Sequence, residues 1–235
     1  MSKTYSLLII LAILALALPA CRPSKVAKGI SPEEQMVGNI VSRADDDVPI
    51  AHVNGTAVKR GVFTGLAATM VDLYGIPLEQ AYQDALNLLI QNALFQQEAE
   101  RRGYTPTAEE AIQRTREHIE EQKNIPSSRE FLEKQAERFG VSLESEEFVV
   151  KYAPALEGMM LAERLNQRID EEVGGDLDQF DAVRRALAAD LLSQATIEIV
   201  YENLPPEAAN IHIPAAEELP VIKNPKPTME EVQSP

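Results

Sequence analysis

The chain has 235 residues, with 22 Lys and Arg against 37 Asp and Glu, for a formal charge of −15 at pH 7. So acidic a balance, with no basic patch in sight, argues against a nucleic-acid partner, and 45% hydrophobic against 25% charged residues excludes a chain disordered throughout. One cysteine and three well-separated histidines (His52, His118, His212) offer neither a disulfide pair nor zinc-ligand spacing, so no metal or cofactor is expected.

Lys3 precedes an apolar run from Leu7 to Leu18 that ends in Leu18-Pro19-Ala20-Cys21. A stretch of about a dozen residues is shorter than the roughly 20 that a spanning helix requires, so the segment reads as a secretory signal peptide. Leu three positions before the cysteine and Ala directly before it resemble the bacterial lipobox, which implies cleavage before Cys21 and transfer of a diacylglycerol to its thiol, with acylation (a palmitate, for example) of the new amine. The alternatives are soluble secretion and a retained anchor helix. With lipid on Cys21 the protein is expected outside the cytoplasm, held to the outer face of the cytoplasmic membrane or the periplasmic face of an outer membrane.

Residues 22–47 are polar and include Asp45, Asp46 and Asp47, and they read as a tether. Ile50 to Val58 then reads as a hairpin, because Asn54-Gly55 between alternating apolar segments suits a turn with two positive φ angles. Val62, Phe63, Leu66, Met70, Leu73 and Tyr74 recur at helical spacing up to Gly75. Pro77 opens a second helix to Arg102, apolar on more than one side and so expected to be the most buried, with Gly103 as its stop. Thr107 to Glu110 is a capping box for a third helix, whose thin apolar line predicts only light contact with the body. Ser127 to Glu130 offers another capping box, for a fourth helix ending at Gly140, and helices three and four together read as an antiparallel arm.

A longer helix from about Glu144 places Phe148, Tyr152, Leu156, Met159, Met160, Leu165, Ile169 and Val173 inward, and Pro154 must kink it, since proline lacks an N–H and crowds the Val150 carbonyl; Gly174-Gly175 ends it. A sixth helix spans Leu177 to Ala195 with Phe180, Val183, Leu187, Leu191 and Leu192 inward. Thr196 to Tyr201 alternates like a strand, whose expected partner is the hairpin at residue 50. From Pro205 onward the prolines forbid a helix or central strand and predict extended chain. The fold class is therefore mostly α: about six helices with a small β element, an N-terminal hairpin paired with a C-terminal strand. The expected organisation is a lipoprotein signal peptide over residues 1–20, a tether over 21–47, a helical domain over 48–204 and a Pro-rich acidic tail over 205–235.

The hairpin Val53-Asn54-Gly55, the segment Ala85-Leu86-Asn87-Leu88-Leu89-Ile90-Gln91 running into Gln97-Glu98-Ala99-Glu100-Arg101-Arg102-Gly103-Tyr104, and the capped Thr107 to Glu110 resemble the N-terminal chaperone domain of the SurA and PrsA families. The resemblance covers about residues 50 to 122 and continues by element order to about 204. Those families are extracytoplasmic folding factors related in fold to the peptide-binding part of trigger factor. They commonly carry a parvulin prolyl isomerase unit after the arm. Residues 104 to 195 here read as helix almost throughout and leave no room for it, so isomerase activity is not expected.

The resemblance implies an ATP-independent holdase that binds unfolded or newly exported polypeptides, with Phe63, Leu66, Met70, Leu73, Tyr74, Met159 and Met160 as candidate peptide-binding residues. Flexible thioethers suit varied apolar partners, and the alternative role of the same side chains is core filling. A dedicated scaffold of a cell-envelope assembly, docking through the Pro-rich tail, is the second reading, and exchange of arms between two copies would make a homodimer. Catalysis finds little support. Glu109-Glu110, Glu120-Glu121, Glu146-Glu147 and Glu171-Glu172 are adjacent on helices, where neighbours point about 100° apart, and no catalytic residue is assigned. His52 is expected on the outer face of the first strand and His118 on a solvated helix face.

Overall fold

The computed structural model describes residues 46–219, so the signal peptide, Cys21, most of the tether and the end of the tail lie outside the described residues. β1 (Pro49–Val53) and β2 (Thr56–Lys59) form an antiparallel hairpin around Asn54 and Gly55, with φ angles of 50° and 85°. Asparagine and glycine are the residues that tolerate such angles, which is why this dipeptide makes the turn. β3 (Ile197–Ile199) pairs antiparallel with β1, Ala51 opposite Ile199 and Val53 opposite Ile197, giving the order β2-β1-β3. The expected closure of the domain by its two ends is present. It is reinforced where Asn203 Nδ2 donates to the Pro49 carbonyl (2.7 Å) and Arg60 Nη1 donates to the Asn203 carbonyl (3.4 Å).

Six α-helices lie between β2 and β3: α1 (Arg60–Tyr74), α2 (Leu78–Arg101), α3 (Ala108–Gln122), α4 (Pro126–Phe139), α5 (Glu146–Val173) and α6 (Leu177–Gln194). Gly75, Gly140 and Gly174 terminate α1, α4 and α5 in the left-handed conformation, their N–H groups satisfying the last carbonyls. Thr107 and Glu110 form the reciprocal capping box of α3, and the Asp176 carboxylate caps α6. α4 departs from expectation. It starts at Pro126 with Ile125 as N-cap and no side-chain cap, because proline at the first turn lacks only an N–H that would have no helical partner anyway.

The interior consists of three apolar clusters. The first joins the sheet, α1 and most of α2, with Ile50, Phe63, Met70, Leu86 and Ile90 fully covered and Phe63 stacked on Tyr82 at 5.0 Å. The second gathers the end of α2 (Phe95, Ala99), the C-terminal half of α5 (Leu161, Leu165, Ile169) and α6 (Phe180, Ala188). The third belongs to the arm: Ile119 of α3, Leu132 and Ala136 of α4, and Phe148, Val149, Tyr152 and Leu156 of α5, with Phe148 and Tyr152 stacked at 5.3 Å. α2 takes part in the first two clusters and buries thirteen residues, as its broad apolar set requires. α5 runs unbroken through the exposed Pro154 and serves both the second cluster and the third. At Gly158 it passes so close to α2 that an added Cβ would stand 2.8–2.9 Å from the Gln96 amide.

Four further expectations are corrected. α3 does not touch the body lightly: it lies along α5, burying Thr115, Ile119 and Gln122, and ion pairs supplement its thin apolar line. Val183 of α6 is exposed rather than inward, since Phe180 and Ala188 define the covered face. His118 is no solvated helix residue but sits half-buried 6.5 Å from the Tyr152 ring. The described part of the proline-rich segment is docked chain with two 3₁₀ turns, Pro206–Ala208 and Ala216–Glu218, that buries Ala208, Ile211 and Leu219. Polar side chains of α2 hold this strap: Gln83 both donates to and accepts from the His212 backbone at 3.0 Å, and Asn87 donates to the Glu218 carbonyl. Proline forbids helix there without forbidding burial.

Candidate functional site

Most of the residues expected to bind peptide are not available to do so. Phe63, Leu66 and Met70 are covered within the first cluster, with at most 4% exposure, and Tyr74 packs half-buried against it. Leu73 lies on α1, its side chain outside the described ones. Met159 is half-buried against the arm's own core. Met70 therefore shares no open surface with Met159 and Met160, because the α1 stripe that periodicity reveals is the stripe that packs on α2. Among the described side chains of this set, Met160, itself 6% exposed, is the one that lines an open concavity.

That concavity is a crevice of about 920 Å³ between α3 and α5, where helix spacing brings Glu109, Ile112, Gln113 and Glu117 opposite Met160, Glu163 and Gln167. Met160 and the half-buried Ile112 supply its apolar floor. The walls are charged, and each of their arginines faces a glutamate. Arg164 bonds Glu110 at 2.8 Å and donates to the carbonyls of Tyr104 (3.1 Å) and Thr105 (3.3 Å), fixing the start of α3 against α5. Arg114 lies 3.7 Å from Glu163 and 3.6 Å from Glu121, and Arg116 is 2.8 Å from Glu146. The Thr107 N–H and the Arg164 guanidinium hold the Glu110 carboxyl down at about 2, so it is ionised throughout the physiological range.

The volume is that of a ligand site, but small-molecule pockets are lined mainly by apolar and aromatic side chains. Two apolar residues among paired charges instead suit a polypeptide, whose backbone and alternating side chains meet such a surface along its length. The adjacent glutamates diverge: Glu110 turns to Arg164 while Glu109 faces the crevice, and Glu146 and Glu147 bond Arg116 and Lys151 respectively.

Two buried ionisable groups, Glu98 and Arg184, and the half-buried His118 lie outside the lining. Glu98, 3% exposed, accepts from both Arg101 (2.6 and 2.8 Å) and Arg102 (2.6 Å), and these guanidiniums hold its carboxyl below the ordinary value as they close the end of α2. Burial, with Arg114 nearby, depresses the His118 imidazole to about 4. Arg184 lies over the rings of Phe95 (5.0 Å) and Phe180 (5.7 Å) with no hydrogen-bond partner for Nε among the described residues, and burial pulls it down to about 10. Sequence reasoning missed the crevice because α3 reads as a solvated helix. Its signal was the mixture of both charge signs over Glu109 to Glu117, of which Glu110, Arg114 and Arg116 pair across to α5. No protein-family model, curated protein or solved structure matches this chain.

Proposed function

We propose that this protein is a lipid-anchored, ATP-independent holdase acting outside the cytoplasm, and that the α3/α5 crevice is where it holds segments of unfolded or newly exported chains. The observation that carries the reading is the crevice itself: an arm with its own apolar core leaves a polar-walled channel against α5, floored by Ile112 and Met160. The resemblance of residues 50 to 122 to SurA- and PrsA-type chaperone domains supports the same reading, and Leu18-Pro19-Ala20-Cys21 supports attachment through lipid on Cys21. The net charge of −15 keeps complexes with half-folded clients in solution.

A second reading, a scaffold with one dedicated partner, is favoured by the presence of only two apolar residues, Ile112 and Met160, in the lining, since general holdases use broad adaptable apolar surface. Light scattering of a thermally unfolded reporter separates the two. A holdase suppresses aggregation without nucleotide at near-stoichiometric ratio, and suppression is expected to fall in Ile112→Asp, read at a temperature where circular dichroism shows the variant as helical as the parent. Absence of suppression at several-fold excess rejects the holdase and leaves the scaffold.

A further inference from the structure

Resting on the reading of the crevice as a polypeptide site, we propose that it selects an extended segment carrying two cationic side chains four residues apart with an aliphatic side chain midway between them. The selection follows from which charges are already used. The arginines of the lining, Arg114, Arg116 and Arg164, all face glutamates. Glu117 accepts only from the Gln113 amide, and Glu109 has no cation against it among the described residues. The lining therefore presents two uncompensated carboxylates.

Their spacing is specific. Eight residues of helix at about 1.5 Å each separate Glu109 from Glu117 by about 12 Å along α3. An extended chain rises about 3.3 Å per residue, so positions i and i+4 lie about 13 Å apart and, like i+2, point to the same side. Cations at i and i+4 then meet Glu109 and Glu117, while the side chain at i+2 falls onto Ile112 and Met160. A segment with acids at those positions meets like charge at both ends, and one with cations an odd number of residues apart turns one of them away from the floor.

The test uses the full-length chain in non-ionic detergent and three fluorescein-labelled peptides in anisotropy titrations: Lys-x-Leu-x-Lys, Glu-x-Leu-x-Glu, and a peptide with its two lysines five residues apart. The first is expected to bind at least tenfold more tightly than either of the others. Glu109→Gln combined with Glu117→Gln, both on the surface of α3, should bring the three within about twofold while the circular dichroism is unchanged. Equal affinities for the three peptides, or discrimination untouched by the double variant, overturn the proposal. Self-association in sedimentation that the double variant abolishes, without peptide discrimination, overturns it in favour of a second copy as occupant. Discrimination without suppression of aggregation upholds the proposal and rejects the holdase, whereas suppression without discrimination does the reverse.

Discussion

Asn54 and Thr196, 142 residues apart, exchange two hydrogen bonds of 2.8 Å: the Asn54 N–H donates to the Thr196 carbonyl, and Asn54 Oδ1 accepts the Thr196 N–H. The Asn54 amide also donates to Gln97 Oε1 at 2.8 Å, and Gln97 Nε2 donates to the Val53 carbonyl at 2.9 Å. One side chain thus joins the hairpin turn, the closing strand and α2. Asn54→Ala keeps the backbone bond but forfeits the side-chain bonds and the tolerance for φ 50°, and is expected to cost about 1–3 kcal/mol in urea unfolding. Asn54→Gly forfeits the bonds alone and should cost about 1 kcal/mol less. Equal losses would show that backbone conformation contributes nothing here.

His118 makes the arm acid-sensitive. Its imidazole titrates near 4 in the folded chain and near 6.5 when unfolded, so its contribution is fully present above about 6.5 and is lost as pH falls towards 4. Unfolding midpoints between pH 7 and 4 should drop by an amount equivalent to at most about 3 kcal/mol from this group. His118→Gln should flatten that part of the profile. An NMR titration placing the folded imidazole near 6.5 would contradict the assignment.

Gly158 reports on the approach of α5 to α2. The atoms a Cβ would meet belong to the far end of the Gln96 side chain, which can swing aside. Gly158→Ala is therefore expected to be neutral or to stabilise by up to about 1 kcal/mol through helix propensity. Gly158→Leu, whose branch the gap cannot take, should destabilise by about 1–3 kcal/mol in the same assay.

Arg184 is a buried charge held by two aromatic rings. Replacing such a group with an apolar side chain of similar length removes a desolvation penalty, so Arg184→Met should raise the thermal midpoint or leave it unchanged. A loss above about 2 kcal/mol would mean that its stacking on Phe95 and Phe180 outweighs that penalty.

The punctuation of this fold is written locally and can be read directly. Asn54-Gly55, Gly75, Thr107 with Glu110, Gly140 and Gly174 act within a few residues of themselves, and each terminates or turns the chain as its chemistry dictates. What covers an apolar stripe is not local. Phe63, Leu66 and Met70 have the same spacing whether they meet a client or α2, and here they meet α2. The strap escaped for a related reason: prolines announce the lack of a helix, whereas docking depends on Ile211 and Leu219 finding an interior. Glu79, Gln83 and Asn87, polar side chains of α2 that bond it, were its trace in that helix. The crevice escaped because Arg114 and Arg164 satisfy glutamates distant in sequence, and a charged helix face gives no sign of its partner.

The pairing of β1 with β3 also sets an order of events. The cluster of the arm involves shorter separations in sequence than the β1–β3 pairing, and contact order favours its forming first, whereas β1 lacks its second neighbour until Ile197–Ile199 have been made. Throughout that interval the Ala51 to Val53 edge is an unpaired template, open to any extended chain. Synthesis of α6 without β3 would prolong that state indefinitely, so truncation before Ile197 turns a self-closing domain into one that recruits strands from its neighbours.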